Sequence, residues 1–346
     1  MSDDSKQSAR GKLGIISCSS GRHFAEKVIS RLETIIEEEQ DGTKPELYIN
    51  SKERNFANQE VNTELGESIR NRDIYVFQDV ENSQDGLSVN DNYMALKTAI
   101  ISAKASDAKY ITAVIPVFPY ARQDKPKSRE GITAALVARE LEDAGASRVL
   151  TLDIHQEATA GFFRKAVLEN LRASKKILDY VEENISRDNL VVVAPDAGTA
   201  QRANFYAGKL SVPLSFIHKQ RDYSVENSIE KMTLVGNVDG KDCFFIDDMI
   251  DTAGTTISAI KTARDSGAKE IYFATSLPLF NGPAIERLDA AYDEGLFTKI
   301  IGTNVINHGK DFTEQTPWYD EVKMEKYFAR VIYNINRGIS ISRLLL

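Results

Sequence analysis

Short apolar runs alternate with amphipathic stretches along most of the chain. Leu13–Cys18, Asp73–Gln78, Tyr110–Pro116, Leu190–Val193 and Cys243–Ile246 are largely apolar and read as buried parallel strands rather than one-sided ones. Leu214–Ile217 and Ile271–Thr275 read as further strands, and Glu46–Ile49 as an edge strand. Between them, apolar positions recur with helical spacing over Phe24–Ile36, Ser88–Ala105, Ile132–Asp143 and Ile257–Ala263. Tyr327–Ile335 fits a helix, although its β-branched residues leave a strand open. A helix, small-residue turn and strand phrase recurs at Ala144-Gly145-Ala146 and Ser266-Gly267-Ala268, with a glycine-free form at Ser106-Asp107-Ala108. The pattern predicts an α/β fold of two related halves with mostly parallel sheets flanked by helices, because each amphipathic helix needs a sheet to cover its apolar stripe.

At 346 residues the chain is long enough for two such domains. A net charge of −8 gives no general attraction to nucleic acid or to an anionic membrane, so neither is an expected partner, and an anionic substrate must be held by local basic groups. Cys18 and Cys243 lie in apolar surroundings and read as buried thiols. No long apolar span is present and Met1–Arg10 is polar, so the expected compartment is the cytoplasm.

The densest candidate chemistry follows the run that starts at Cys243. Asp247 and Asp248 end the apolar stretch, and Asp251, Thr252, Ala253, Gly254 and Thr255 form a short loop before the helical pattern resumes. Amides of a tight loop and a helix start attract phosphate, and threonine hydroxyls add donors. Carboxylates next to a phosphate repel it unless they meet sugar hydroxyls or a divalent metal, so the pattern suggests a phosphorylated polyol with Mg2+ nearby. The plainer reading is a strand that ends in a polar turn. The glycine and lysine spacings of a Walker loop or a dinucleotide fingerprint are absent.

Other loops add groups that an anionic ligand would need. Tyr120–Arg129 is strongly basic in an acidic protein and follows a strand, as a polyphosphate-binding loop or a solubilising one would. His155 follows a strand, where a packed or hydrogen-bonded role competes with a functional one. Asp196 heads another strand-end loop and could meet a metal, a sugar hydroxyl or its own turn. Lys219 and Arg221 alternate, so in an extended segment both can face one anion, or simply water. Phe56-Ala57-Asn58-Gln59-Glu60 interrupts the regular pattern and on its own reads as a capped loop.

In this order the motifs Phe56–Glu60, Tyr120–Asp124, His155, Pro195–Gly198, Lys219–Arg221 and Asp247–Thr255 resemble the ribose-phosphate diphosphokinase, or phosphoribosyl pyrophosphate synthetase, family over nearly the whole chain. The resemblance implies two stacked phosphoribosyltransferase-like domains, at 11–167 and 168–329, with 330–346 packing back on the first. It implies ribose 5-phosphate at Asp247, Asp248, Asp251, Thr252, Ala253, Gly254 and Thr255. It also implies ATP at Arg122 and Gln123, with Phe56, Asn58 and Glu60 reaching in from a neighbouring subunit. His155 and Asp196 would help hold Mg2+, while Lys219 and Arg221, on a mobile loop, join His155 as catalytic groups. The family's chemistry is diphosphoryl transfer from ATP, in a homo-oligomer with a hexamer as the expected assembly. A noncatalytic regulatory or structural subunit is the alternative, and a phosphoribosyltransferase consuming the same phosphosugar is a third. Three places depart from the family's usual wording: Thr199 where a second glycine is common, Gln156–Ala160, and Ser276–Gly282 in place of a Thr-His-Gly pattern.

Overall fold

The computed structural model describes residues 10–39, 45–82, 84–126, 128–220 and 231–345, the side chains of Lys219, Gln220 and Lys231 excepted. The chain divides into two compact α/β units. The first holds residues up to Arg172 together with Asn304–Gly309 and the chain from Met324 onward; the second holds Ala173–Thr303 and Lys310–Lys323.

In chain order the first unit is built from β1 (Leu13–Ser17), α1 (Arg22–Glu39), β2 (Ser51–Asn55), β3 (Val61–Leu65), β4 (Asp73–Phe77), α2 (Val89–Ala105), β5 (Tyr110–Val114), α3 (Thr133–Ala144), β6 (Arg148–Leu152) and β7 (Val167–Leu171). Five of these strands form one parallel sheet in the order β1-β4-β5-β6-β7. Glu46–Ile49 is not an edge strand. It meets the β1 edge at a single parallel bridge, Tyr48 opposite Ile15, where Leu47 O accepts the Ile15 N–H at 2.7 Å and the Ile49 N–H donates to Ile15 O at 2.8 Å, and the chain beyond Ile49 leaves the sheet to enter β2. The strands β2 and β3 form a separate antiparallel hairpin, with Phe56–Glu60 as its tip.

The second unit runs α4 (Ser174–Asn184), β8 (Leu190–Ala194), α5 (Ala200–Leu210), β9 (Leu214–Gln220), β10 (Lys231–Val235), β11 (Asp242–Ile250), α6 (Gly254–Asp265), β12 (Ile271–Pro278), α7 (Ala284–Asp293), β13 (Lys299–Thr303), α8 (Phe312–Gln315) and β14 (Tyr319–Val322). Its sheet has the order β10-β9-β8-β11-β12-β13-β14, parallel throughout except for β10 against β9. Alternate residues of β11 serve opposite faces. Cys243 and Phe245 join Ala259, Ile260 and Ala263 of α6 in one core, while Phe244 meets Tyr206 of α5 at 5.9 Å. The chain therefore leaves β8 toward one edge and β11 toward the other, with their following helices on opposite faces. This is a topological switch point, and it sets the loops after β8 and β11 side by side at the carboxyl ends of the strands.

The last helix, α9 (Glu325–Arg337), belongs to the first unit. Phe328, Val331, Ile332 and Ile335 are buried at helical spacing, which settles the open reading of this segment in favour of a helix. Phe328 meets Phe24 of α1 edge-on at 5.1 Å. Asn336 donates to the buried Asp73 carboxylate of β4 at 3.0 Å, where Arg10 and Tyr75 donate too.

The repeated helix–turn–strand phrase is one backbone device used three times. Ala108, Ala146 and Ala268 each donate an N–H to the carbonyl five residues back, closing the preceding helix. The residue before each alanine is left-handed, at φ 126° for Gly145, 91° for Gly267 and 58° for Asp107. Asp107 can replace glycine there because a short polar side chain tolerates that region better than most. At Gly267 a Cβ would lie 2.2 Å from Asp239 Oδ1, so that position also excludes a side chain by space.

Candidate active site at the carboxyl ends of β8 and β11

Asp247 and Asp248 lie within β11 and not after it. On one side the strand stays paired to the end, Met249 opposite Leu277 and Ile250 opposite Pro278; on the other, pairing with β8 stops at Phe245. The two carboxylates therefore stand where β8 has turned away, which opens the strand toward the Asp196 loop. Asp248 is buried, whereas Asp247 keeps a partial opening to solvent. The Asp248 N–H donates to Asp247 Oδ1 at 2.8 Å, and the Met249 N–H to Asp248 Oδ1 at 2.9 Å. Burial, then Asp248 beside it, with Asp196 adding further negative charge, pushes the Asp247 carboxyl well above the usual carboxylate range. Crowded acidic oxygens of this kind suit sugar hydroxyls or a hard divalent cation.

The loop that follows is set for an anion. Ala253 is left-handed at φ 60° and begins α6 without any capping side chain, so the first amides of the helix remain available. Thr252 and Thr255 are exposed beside them, and Thr256 is buried. The loop is gripped from the segment after β12. The Phe280 N–H donates to Ile250 O at 3.0 Å, Asn281 Nδ2 to Asp251 Oδ1 at 3.0 Å, and Arg287 Nη1 to Thr252 O at 2.9 Å.

Asp196 heads the neighbouring loop, and Thr199 holds its carboxylate through a backbone N–H at 3.0 Å. Lys219 pairs through its backbone with Met232 across the β9–β10 ladder; Arg221 lies outside the described residues.

The remaining sequence-selected residues are in the first unit. Phe56 stands at the hairpin tip, half exposed, with Glu60 O accepting its N–H at 2.8 Å. Asn58 Oδ1 accepts the Glu60 N–H at 3.2 Å, so this residue does cap its own turn. Arg122 and Gln123 are exposed in the loop after β5, just past Tyr120 at a left-handed φ of 59°. His155 is exposed after β6. Its loop is tied down by Asn170 Oδ1, which accepts the Ile154 N–H at 2.9 Å, and by Arg172, which donates to Asp153 at 3.3 Å and pairs with Glu157. Among the described residues, no group of three or more His, Cys, Asp or Glu side chains is arranged to hold a metal, and no helix is long and apolar enough to cross a membrane.

Residues 13–145 match the N-terminal domain of ribose phosphate pyrophosphokinase, and residues 165–315 match the phosphoribosyl transferase domain. Ribose-phosphate pyrophosphokinase 4 of Saccharomyces cerevisiae is 39% identical over 290 residues, 84% of this chain and 85% of that protein. Ribose-phosphate pyrophosphokinase 2 of Schizosaccharomyces pombe is 38% identical over 83% of this chain and 86% of its own. The crystal structure of phosphoribosylpyrophosphate synthetase from Mycobacterium smegmatis superposes with a TM-score of 0.79 at 32% identity, covering 94% of this chain and 98% of that one. The chain belongs to the ribose-phosphate pyrophosphokinase family.

For this pyrophosphokinase-family chain, the fold expected from the resemblance is the fold observed: two α/β domains, each with a mostly parallel sheet flanked by helices. Sequence reasoning missed Thr199 as a hydrogen-bonding partner of Asp196, and it missed Asn281 and Arg287 as the grip on the acidic loop. Thr199 was visible only as a departure from a glycine. Asn281 and Arg287 carry no local pattern that points back to a loop some 30 residues earlier.

Proposed function

We propose that the protein transfers the diphosphoryl group of ATP to the anomeric hydroxyl of ribose 5-phosphate, giving 5-phosphoribosyl diphosphate and AMP. The observation that carries this reading is the β11 end itself, where paired carboxylates meet an uncapped helix start across one short loop. Asp247 and Asp248 take the ribose hydroxyls. Asp251, Thr252, Ala253, Gly254 and Thr255 wrap the 5-phosphate, which backbone amides and threonine hydroxyls satisfy without a lysine.

The anomeric oxygen attacks the β-phosphorus in line and gives up its proton to water, the bond from that phosphorus to the α–β bridging oxygen breaks, and AMP departs with the bridging oxygen. Lys219 and Arg221 neutralise the charge that grows on the leaving group, so their effect falls on the transition state more than on ground-state binding. Arg122 and Gln123 hold the nucleotide. Phe56, Asn58 and Glu60 reach it from a neighbouring subunit of a homo-oligomer, with a hexamer as the assembly. A half-exposed phenylalanine at a hairpin tip suits such a partner-facing role.

The donor set fits Mg2+: Asp196 offers carboxylate oxygen, and the buried Asp247–Asp248 pair beside it adds negative charge that a divalent cation would offset. The ion supplies orientation and polarisation of the phosphates. His155, a poor ligand for so hard an ion, helps hold it through hydrogen bonds to the phosphates. Positioning and charge stabilisation carry the rate effect, with no protein carboxylate required as a base.

Purified protein incubated with ribose 5-phosphate, ATP and Mg2+ is expected to form AMP and 5-phosphoribosyl diphosphate in equal amounts. If neither product forms across a range of phosphate concentrations and with homologous subunits added, the reading is wrong.

A further inference from the structure

The acidic loop after β11 has a cation at its rim, Arg287, whose positive charge the proposed chemistry leaves without a role. Arg287 sits in the first turns of α7 and donates Nη1 to Thr252 O at 2.9 Å. A Cβ placed on Gly254 would stand 3.6 Å from the same nitrogen, so the guanidinium lies beside the first residue of α6 as well as the Thr252 carbonyl. The side chain is exposed, and its Nε and Nη2 groups have no hydrogen-bond partner among the described residues. No carboxylate pairs with it there either, so its positive charge is not neutralised by the protein.

Arg287 is held by one N–H, leaving the rest of its planar donor fork free to meet a phosphate. The surrounding loop supplies neutral donors only, amides and hydroxyls, while Asp247, Asp248 and Asp251 lie within a few residues. A sugar phosphate with two negative charges therefore has an electrostatic deficit in this loop that one external cation offsets. The same bond to Thr252 O steadies the left-handed turn at Ala253, which aims the loop amides.

We infer that Arg287 is a further phosphate-binding residue of the sugar-phosphate site, reaching from α7 to the 5-phosphate while holding the loop through Thr252. This inference rests on the proposed ribose 5-phosphate site.

The test separates charge recognition from scaffolding by varying ligand charge and residue charge together. Dissociation constants for ribose 5-phosphate and ribose 5-sulfate, a monoanion of the same shape, are measured by calorimetry with the full chain as wild type, Arg287→Lys and Arg287→Gln. Wild type is expected to prefer the phosphate. Arg287→Gln should weaken phosphate binding about tenfold or more, the scale of a lost charge-assisted hydrogen bond, and should narrow the preference over sulfate. Arg287→Lys should keep most of that preference. Equal weakening of both ligands by Arg287→Gln would reduce the residue to a scaffold and overturn the inference, as would unchanged binding of both. Failure of the wild type itself to bind ribose 5-phosphate would overturn the site reading, and the role of Arg287 with it.

Discussion

Thr199 and Asp196 are locked to one another in the loop after β8. The Thr199 N–H donates to Asp196 Oδ1 at 3.0 Å, and the Thr199 hydroxyl donates to the Asp196 carbonyl at 2.9 Å, with Oδ1 also in reach at 3.3 Å. A glycine at this place would leave only the first of these bonds. The threonine thus fixes a carboxylate that the proposed reaction uses at its metal.

Thr199→Val keeps the shape and the backbone N–H but removes the hydroxyl. It is expected to cost about 1 kcal/mol of stability, the net worth of a typical hydrogen bond. It should also raise the Mg2+ concentration needed for half-maximal turnover. Urea midpoints and a Mg2+ titration of activity check both, and a variant that matches the wild type in each would show that the hydroxyl is idle.

Lys219 is carried on β9 with its backbone opposite Met232, beyond the part of β9 that pairs with β8. If its charge acts on the breaking α–β bridge, Lys219→Ala should lower turnover at saturating substrates roughly 100-fold, the scale of one lost transition-state donor. ATP affinity should move far less. Large loss of ATP binding with normal turnover at saturation would assign the lysine to ground-state binding instead.

The strands and helices legible in the sequence were those whose apolar pattern matches a fully buried strand or an amphipathic helix. β1, β4, β5, β8 and β11 are of this kind, each with an unbroken or nearly unbroken buried face pair. The β2–β3 hairpin was not, because Ser51–Asn55 and Val61–Leu65 are mostly polar and exposed, and their stability comes from pairing and from contact with α2 through Thr63 and Ser102. The acidic loop could be found because its residues are contiguous. Its exact setting could not, since whether Asp247 ends a strand or continues it depends on how far β12 runs alongside, and β12 continues to Pro278.

The segment Ser276–Gly282, which departs from the family's usual wording, is built into the core of the second unit. Phe280 is buried, left-handed at φ 50°, and packs against Trp318 at 5.9 Å and Tyr319 at 5.7 Å. Its N–H also holds Ile250 at the start of the acidic loop. Phe280→Ala is therefore expected to cost about 3–5 kcal/mol, the usual penalty for emptying a buried aromatic site. The backbone bond to Ile250 needs no side chain, so what remains folded should bind ribose 5-phosphate with an affinity within a few fold of wild type. Chemical denaturation and calorimetry on the variant measure the two effects separately. A stability loss under 1 kcal/mol would mean that the aromatic cluster closes over the gap.

Asp79, just past the end of β4, gives the first unit a pH dependence that can be worked out in advance. Its carboxylate is buried and accepts the N–H of Glu81 at 3.1 Å and of Asn307 at 3.2 Å. Burial outweighs those two bonds, and Glu81 and Asp85 add negative charge, so the carboxyl is pushed up to about 7. In the unfolded chain it titrates near 4, as an ordinary aspartate does at about 3.9. Between these values the folded state keeps a proton that the unfolded state releases, so its contribution to stability is complete below about pH 4 and is lost as pH rises through about 7. From pH 5 to pH 8 that loss is roughly 2–3 kcal/mol, at 1.36 kcal/mol per unit. Asp79→Asn has no charge to develop, so its stability relative to the wild type should rise by about that amount between the two pH values. Urea unfolding of both proteins at pH 5 and pH 8 gives the difference directly. A gap that stays constant would mean that Asp79 already carries its charge at pH 5, and that the two backbone N–H bonds outweigh its burial.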